Sequence, residues 1–312
     1  MKNTIKTFAL FLTAGAMLAS CDSYLDRQPD EPLTSDNIFK KQKTTLQYLT
    51  NIYSYQPDYE APACVSNSND IPWEASSDET SFAYLDRAYT QINYNSWNPS
   101  INIYRNDTYN TPYKGIREAN YFMQHVHECP ELTDTDKGYY YNEARFLRAH
   151  FYAMMLPVYG PVFLIGDDPV DFTQSGLDQR ERNTWDECVS YVANELWEAA
   201  KGLPDSWPDI YYGRATKGAA LAARARLLLY SARKLFNGNE LYKGIVNKNG
   251  DHLFPTQYDE KKWELAAQAA KDVMNLNLYS LVGADGTDPY ASFNTLFTSV
   301  GSGTGATEKI YT

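Results

Sequence analysis

The chain lacks long apolar segments outside its N-terminus. A helix that spans a bilayer needs about 20 predominantly apolar residues. The most apolar later stretch, Ala219 to Tyr230, is interrupted by Arg224 and Arg226. The sequence therefore excludes a polytopic membrane protein.

Basic residues are also scarce. The 312 residues include 28 Lys and Arg against 39 Asp and Glu, which gives a formal net charge of -11 at pH 7. Such a surface repels phosphate backbones over most of its area, so we expect no nucleic-acid partner. With 43% hydrophobic residues, the chain can still bury a sizeable core, as one large domain or two smaller ones.

Cysteine is rare, with four residues in the chain. Apart from Cys21, these are Cys64, Cys129 and Cys188, and three cysteines permit at most one intramolecular disulfide. A chain of this length needs no disulfide to stabilise its core. We therefore expect three buried free thiols, with a single disulfide as the alternative.

Residues 1–20 have the pattern of a lipoprotein signal peptide. Two lysines precede an uncharged run over residues 8–18, which is too short to span a bilayer. The junction from Leu18 to Cys21 resembles a bacterial lipobox, in which the cysteine receives acyl chains such as palmitate. We expect Cys21 to be the first mature residue and to anchor the protein on a membrane through lipid. The alternative is an ordinary signal peptide followed by an incidental cysteine.

The mature chain divides into a tether and a helical body. Residues 21–36 are polar and contain two prolines, which is typical of a tether, and residues 37–312 form the body. Residues 56–111 form a long irregular excursion, because they contain several prolines, many Asn and Ser, and little helical periodicity. We define residues 56–111 as the excursion.

Helical periodicity recurs through the rest of the body. Thr133 begins one predicted helix, which Pro157 ends, and Thr184 with Glu187 forms a capping box at another. The predicted helices cover about residues 44–55, 112–130, 133–157, 184–196, 215–236 and 259–277. We place Leu228 and Leu229 on the inner face of 215–236, and Trp263 and Met274 on that of 259–277. Paired helices with repeated small residues predict a mostly α fold built from tetratricopeptide-like hairpins.

Four motifs together resemble the SusD/RagB family of Bacteroidetes lipoproteins. They are Cys21 to Asp26 followed by Pro29, Tyr113 to Asn120, Asn142 to Ala149 running to Gly160, and Gly213 to Ala220. The resemblance implies a mostly helical, tetratricopeptide-like fold with an irregular ligand-binding part. It also implies a surface-exposed location at the outer membrane, a partner transporter of the TonB-dependent, SusC-like type, no cofactor and no catalysis. Family members are considerably longer, so we expect a truncated SusD-like fold without its C-terminal portion, with residues after Gly283 the least ordered.

The excursion supplies the candidate ligand-binding residues. Sugars need aromatic platforms beside planar donors and acceptors, and the whole chain is rich in Tyr, with 26 residues against 13 Phe. The family's sugar contacts come partly from the same region. The candidates are Trp73, Asp78, Arg87, Trp97, Asn98 and Tyr104. As alternatives, the aromatic residues pack the excursion onto the body, and Asp78 with Arg87 forms a surface salt bridge.

Other polar residues have structural interpretations. We expect the charged residues of the third motif to brace neighbouring helices through buried ion pairs; they are Glu143, Arg145 and Arg148. His125 with Cys129 supplies only two ligands, too few for a zinc site. Segment 247–251 is out of register with a calcium loop and is interpreted as a turn.

The leading hypothesis is a protein that captures an oligosaccharide at the cell surface and delivers it to the transporter. Two alternatives remain: the same fold capturing a peptide or another non-sugar nutrient, and a helical-repeat scaffold that binds only protein. An enzyme is the weakest hypothesis, because no supported pair of catalytic carboxylates is present.

Overall fold

The computed structural model describes residues 35–56, 77–78, 92–96, 98, 106–167, 180–283, 286 and 288–298, and these ranges are mostly α-helical. The helices are α1 Ser35–Ile38, α2 Gln42–Tyr53, α3 Thr111–His125, α4 Asp134–Tyr159, α5 Trp185–Gly202, α6 Lys217–Ala232, α7 Lys261–Met274 and α8 Pro289–Thr298. Short π or 3-10 turns cover Asn106–Asn110, Val126–Glu128, Asp209–Tyr211 and Glu240–Tyr242. The β pairing in these ranges is a single antiparallel bridge between Val246 and His252.

Threonine side chains begin three of the helices. At α5, Thr184 Oγ1 accepts the N–H of Glu187 at 3.3 Å, and the Glu187 carboxylate accepts the N–H of Thr184 at 2.8 Å. The predicted capping box is therefore confirmed. At α4 and α6, Thr133 and Thr216 accept the N–H of Asp136 and of Ala219. These bonds satisfy N–H groups that the first turn of a helix leaves without an acceptor.

Helices α3 to α7 pack in chain order, each against the next, as tetratricopeptide-like hairpins do. Trp185 at the start of α5 donates to Ser231 near the end of α6 at 3.1 Å, which fixes these two helices as antiparallel. Gly115 lets α3 approach α4, because a Cβ there would lie 2.5 Å from the Phe151 ring. Small side chains fill the helix contacts; buried examples are Ala119, Ala144, Ala149, Ala199, Ala219 and Ala220. The mostly α, tetratricopeptide-like fold is confirmed.

The end of α4 differs from the prediction. The sequence predicts that Pro157 ends this helix, but α4 continues to Tyr159. Proline removes one N–H donor inside a helix, yet the following turn still closes, because the N–H of Gly160 donates to Leu156 O at 2.9 Å. The actual end is Gly160, whose φ of 68° suits glycine.

Three predicted inner-face residues are exposed instead. Leu229 on α6 is 50% exposed, while Leu227 is buried. Helix α6 packs mainly against α5 and α7, and Leu229 lies outside the part of α6 that this packing buries. Trp263 and Met274 on α7 are also exposed. Among the described elements, helix α7 packs mainly against α6. It therefore buries only a narrow stripe formed by small residues.

Two helices were not predicted from the sequence. Helix α1 begins at Ser35, inside the predicted tether. Helix α8 lies after Gly283, in the segment that we expected to be least ordered, and it buries none of its described residues. None of the described helices is both long and apolar enough to cross a bilayer.

The structure also describes the predicted turn at 247–251 and two of the cysteines. Segment 247–251 forms the predicted turn, in which the N–H of Asn247 donates to Asp251 O at 2.9 Å. Cys129 and Cys188 are buried free thiols, as expected, and burial raises the pKa of Cys188 to about 11. Cys64 lies outside the described residues, so its state stays a prediction.

Candidate functional site

Two of the six predicted ligand-binding residues, Asp78 and Asn98, lie in the described ranges, and both are exposed. The predicted residues outside these ranges are Trp73, Arg87, Trp97, Tyr104 and the lipidation residue Cys21. Their roles stay predictions. The described residues show how the helical body holds the two ends of the excursion.

The excursion leaves the body at the C-terminal end of α2. Tyr53, the last residue of α2, donates its hydroxyl proton to the carboxylate of Glu143 on α4. The same hydroxyl oxygen accepts the N–H of Ala215 at 2.9 Å. The departure point is therefore fixed to α4 and to the loop before α6.

The excursion returns at a cluster of tyrosines beside the end of α4. The hydroxyl groups of Thr108 and Tyr159 lie 2.6 Å apart. The Tyr109 ring lies 4.9 Å from the Tyr159 ring and 5.0 Å from the Tyr113 ring, between centroids. Tyr113 donates its hydroxyl proton to Phe163 O at 2.8 Å, and burial raises the pKa of Tyr113, so the hydroxyl stays protonated. Both ends of the excursion are thus attached to packed helices.

A buried ion pair stabilises the departure point. Arg214, in the loop before α6, donates two hydrogen bonds to the fully buried carboxylate of Glu143, one of them at 2.8 Å. Burial raises the pKa of Glu143, and the Arg214 guanidinium opposes that rise. Burial opposes the charge on Arg214, but Glu143 outweighs burial and raises the pKa of Arg214. Removal of either partner would leave a buried charge without compensation.

Aromatic rings surround the Arg214 guanidinium. Its central carbon lies 4.1 Å from the Trp207 ring centroid, 4.9 Å from that of Tyr140 and 5.2 Å from that of Tyr211. Cation–π contacts of this kind contribute about 0.5–2 kcal/mol each. The same arginine therefore holds both a carboxylate and three rings in place.

The loop that carries these rings, residues 203–216, is itself fixed by hydrogen bonds. Trp207 Nε1 donates to Ala215 O at 2.7 Å, and the N–H of Lys217 donates to Pro204 O at 2.9 Å. Gly213 takes a φ of 89°, a backbone conformation that suits glycine. We call residues 203–216 the α5–α6 loop.

A second charged cluster joins α3, α4 and α5. Arg148, 2% exposed, donates to Glu195, to Asn120 Oδ1 at 2.7 Å and to Asp167 Oδ1 at 2.6 Å. Arg145 donates to both oxygens of Glu195, at 3.1 and 2.7 Å. Burial raises the pKa of Glu195, but the two arginines outweigh burial and hold that pKa below its ordinary value of 4.5.

These two clusters bind helices together. Each buried carboxylate accepts hydrogen bonds from guanidinium groups, so its oxygens have partners inside the protein. The predicted bracing role of Glu143, Arg145 and Arg148 is confirmed. In the described part of the chain, no three His, Cys, Asp or Glu side chains converge on a common metal position; His125 Nδ1 lies 2.8 Å from Glu128 Oε1.

Sequence reasoning missed the aromatic surroundings of Arg214. The motif from Gly213 to Ala220 contains this arginine, but nothing in the motif shows that Trp207 and Tyr211 fold back onto it. The available signal was the run from Trp207 to Tyr212, which places three aromatic residues in a short loop between two predicted helices.

Comparison with known proteins agrees with this architecture. Residues 23–229 match the profile of the SusD-like family, which is described as "starch-binding associating with outer membrane". The chain belongs to the SusD-like family. No curated protein sequence matches the chain significantly.

Solved structures share the fold at low sequence identity. A SusD-like protein from Bacteroides fragilis is 23% identical with a TM-score of 0.64, over 86% of this chain and 44% of that one. A SusD-like carbohydrate-binding protein from the same species is 18% identical with a TM-score of 0.55, over 78% and 42%. Surface glycan-binding protein A from Bacteroides uniformis is 17% identical with a TM-score of 0.57, over 77% and 47%. The chain therefore spans less than half the length of these relatives.

Proposed function

We propose that this SusD-like chain belongs to a lipid-anchored protein that captures a glycan at the cell surface and delivers it to a TonB-dependent outer-membrane transporter. Capture involves no chemical change of the glycan. Family membership and the glycan-binding names of two structural relatives support the ligand class. The lipid anchor at Cys21 and the SusC-like transporter belong to the same proposal.

The attachment of the excursion at both ends is the observation that carries this proposal. A loop rich in aromatic and polar side chains binds a sugar well only if its ends do not move apart, because ordering a free loop on binding costs affinity. Tyr53 with Glu143 fixes one end, and Thr108 with Tyr159 fixes the other. The body thus acts as a rigid support for a binding loop.

Affinity electrophoresis tests the proposal. The purified chain is run in gels that contain amylopectin, xylan, laminarin or inulin, and we expect at least one polysaccharide to retard it. Trp97→Ala should weaken that binding about tenfold, since loss of a stacking contact of about 1.4 kcal/mol corresponds to tenfold in affinity. Trp263→Ala is the matched control, because Trp263 is an exposed tryptophan on α7, and its binding should be unchanged.

Two results would contradict the proposal. If Trp97→Ala lowers the melting temperature sharply while its folded fraction binds as before, Trp97 packs the excursion onto the body. If no polysaccharide retards the chain and a peptide panel binds it instead, the cargo is a peptide.

A further inference from the structure

We propose that the α5–α6 loop carries a second glycan contact, a platform formed by the rings of Tyr211 and Tyr212 that stacks on a pyranose ring. This inference rests on the proposed function, because it takes the same class of ligand. It adds a site on the helical body to the predicted site in the excursion.

The Tyr211 ring is held in position by the body. It packs edge-on against Trp207, with centroids 6.3 Å apart and an interplanar angle of 78°. The Arg214 guanidinium lies 5.2 Å from its centroid, and Glu143 fixes that guanidinium in turn. A ring that is already oriented loses little conformational freedom when a ligand stacks on it.

The side chains of Tyr211 and Tyr212 both remain open to solvent. Tyr211 is 41% exposed and Tyr212 is 49% exposed, and Ile210 beside them is 84% exposed. The exposed carboxylate of Asp209 lies in the same 3-10 turn. Apolar faces next to hydroxyl and carboxylate groups match a sugar, which presents a C–H face and a rim of hydroxyls.

The size of this surface favours a sugar over a protein partner. A standard protein interface buries about 800 Å² on each side. A fully buried aromatic side chain contributes roughly 150–250 Å², and the side chains of Ile210, Tyr211 and Tyr212 are already partly covered. The platform is therefore too small for a stable protein interface, but it is large enough for one or two sugar rings.

The platform lies where the excursion leaves the body. Ala215, which follows Arg214, donates its N–H to the hydroxyl of Tyr53, and the excursion begins three residues after Tyr53. A glycan bound close to this departure point would therefore reach the platform. Two contacts on one chain increase the apparent affinity for a long glycan more than for a short one.

Affinity electrophoresis and calorimetry test the platform with three variants. Tyr211→Ala/Tyr212→Ala removes both rings, and Tyr212→Ala alone spares the ring that packs on Trp207. Tyr290→Ala removes an exposed tyrosine on α8 as a control. The probes are the polysaccharide among amylopectin, xylan, laminarin and inulin that retards the unmodified chain, and the trisaccharide of the same linkage.

We expect the double variant to bind the polysaccharide about three- to tenfold more weakly and the trisaccharide nearly as before. Tyr212→Ala should lose less affinity for the polysaccharide than the double variant does, and Tyr290→Ala should lose none. If a polysaccharide retards the unmodified chain and retards both platform variants equally, the platform proposal is wrong. The proposed function is then still supported. If no polysaccharide retards the unmodified chain, the result contradicts both the platform proposal and the proposed function.

Discussion

Glu195 accepts hydrogen bonds from two arginines of α4, so a single carboxylate compensates two positive charges in the packed interior. Its lowered pKa means that the folded state favours the charged carboxylate. The contribution to stability is therefore present above about pH 4.5, the ordinary value, and is lost as the pH falls through the lower folded-state value.

Glu195→Gln should lower the free energy of unfolding by about 3 kcal/mol at pH 7, because it leaves buried arginines without a charged partner. Urea denaturation measures this difference, which should shrink as the pH is lowered below 4.5. Glu198→Gln is the control on the same helix: its partner Lys201 is exposed, so the expected loss is below about 1 kcal/mol. Equal losses in the two variants would show that Glu195 is not a buried brace.

His150 on α4 should make the fold sensitive to mild acid. Burial, and secondly the positive charge of Arg226, lower the pKa of His150 from 6.5 to about 4. Between these values the unfolded chain binds a proton that the folded chain does not, so stability falls as the pH falls from 6.5 to 4. The melting temperature of the unmodified chain should therefore fall more steeply over this range than that of His150→Gln. Parallel profiles of melting temperature against pH would contradict a histidine that stays neutral in the folded state.

At the scale of the element, the start of α5 shows how a short motif specifies a helix boundary. Thr184→Ala removes the acceptor for the N–H of Glu187 and should cost about 1 kcal/mol of stability. Ser190→Ala, at an exposed position in the same helix, should change stability by only a few tenths of that amount. Chemical denaturation measures both. A Ser190→Ala loss as large as that of Thr184→Ala would indicate a general effect of shortening side chains in α5.

Helix ends and faces were predicted unevenly, for physical reasons. The caps of α4 and α5 are local, since the side chain and the N–H that it accepts are three residues apart, so the sequence is sufficient. The end of α4 is less local, because Pro157 is tolerated within a helix that is buried against α3 and α5. The exposed position of Leu229 depends on where α5 and α7 lie, which the periodicity of α6 alone does not specify.

At the scale of the whole molecule, the lipid anchor is the feature that the N-terminal sequence predicts. Cys21→Ala should prevent acylation, because no other sulfur lies near the cleavage site, and the protein should leave the membrane fraction. Fractionation with labelled palmitate measures this. Cys188→Ala is the control, because Cys188 is buried in the body, and the protein should stay on the membrane. Continued palmitate uptake by Cys21→Ala would contradict the lipoprotein hypothesis.

The sequence by itself determined the helical class, the hairpin repeat, the family resemblance and the bracing role of Arg148. These follow from periodicity, caps and motifs, which involve residues close together in the sequence and can be recognised there directly. It also indicated the excursion as the region for ligand binding, through its aromatic and polar composition.

Only the tertiary structure decided which residues meet across the chain. Tyr53 and Arg214 both bind Glu143 although they lie 90 and 71 positions from it, and no local pattern encodes contacts at such separations. The same folding brings Trp207 and Tyr211 onto Arg214 and leaves part of the Tyr211 ring exposed. Contacts of this range depend on the packing of α2, α4 and the α5–α6 loop together, because each element covers surface that another would otherwise expose to water.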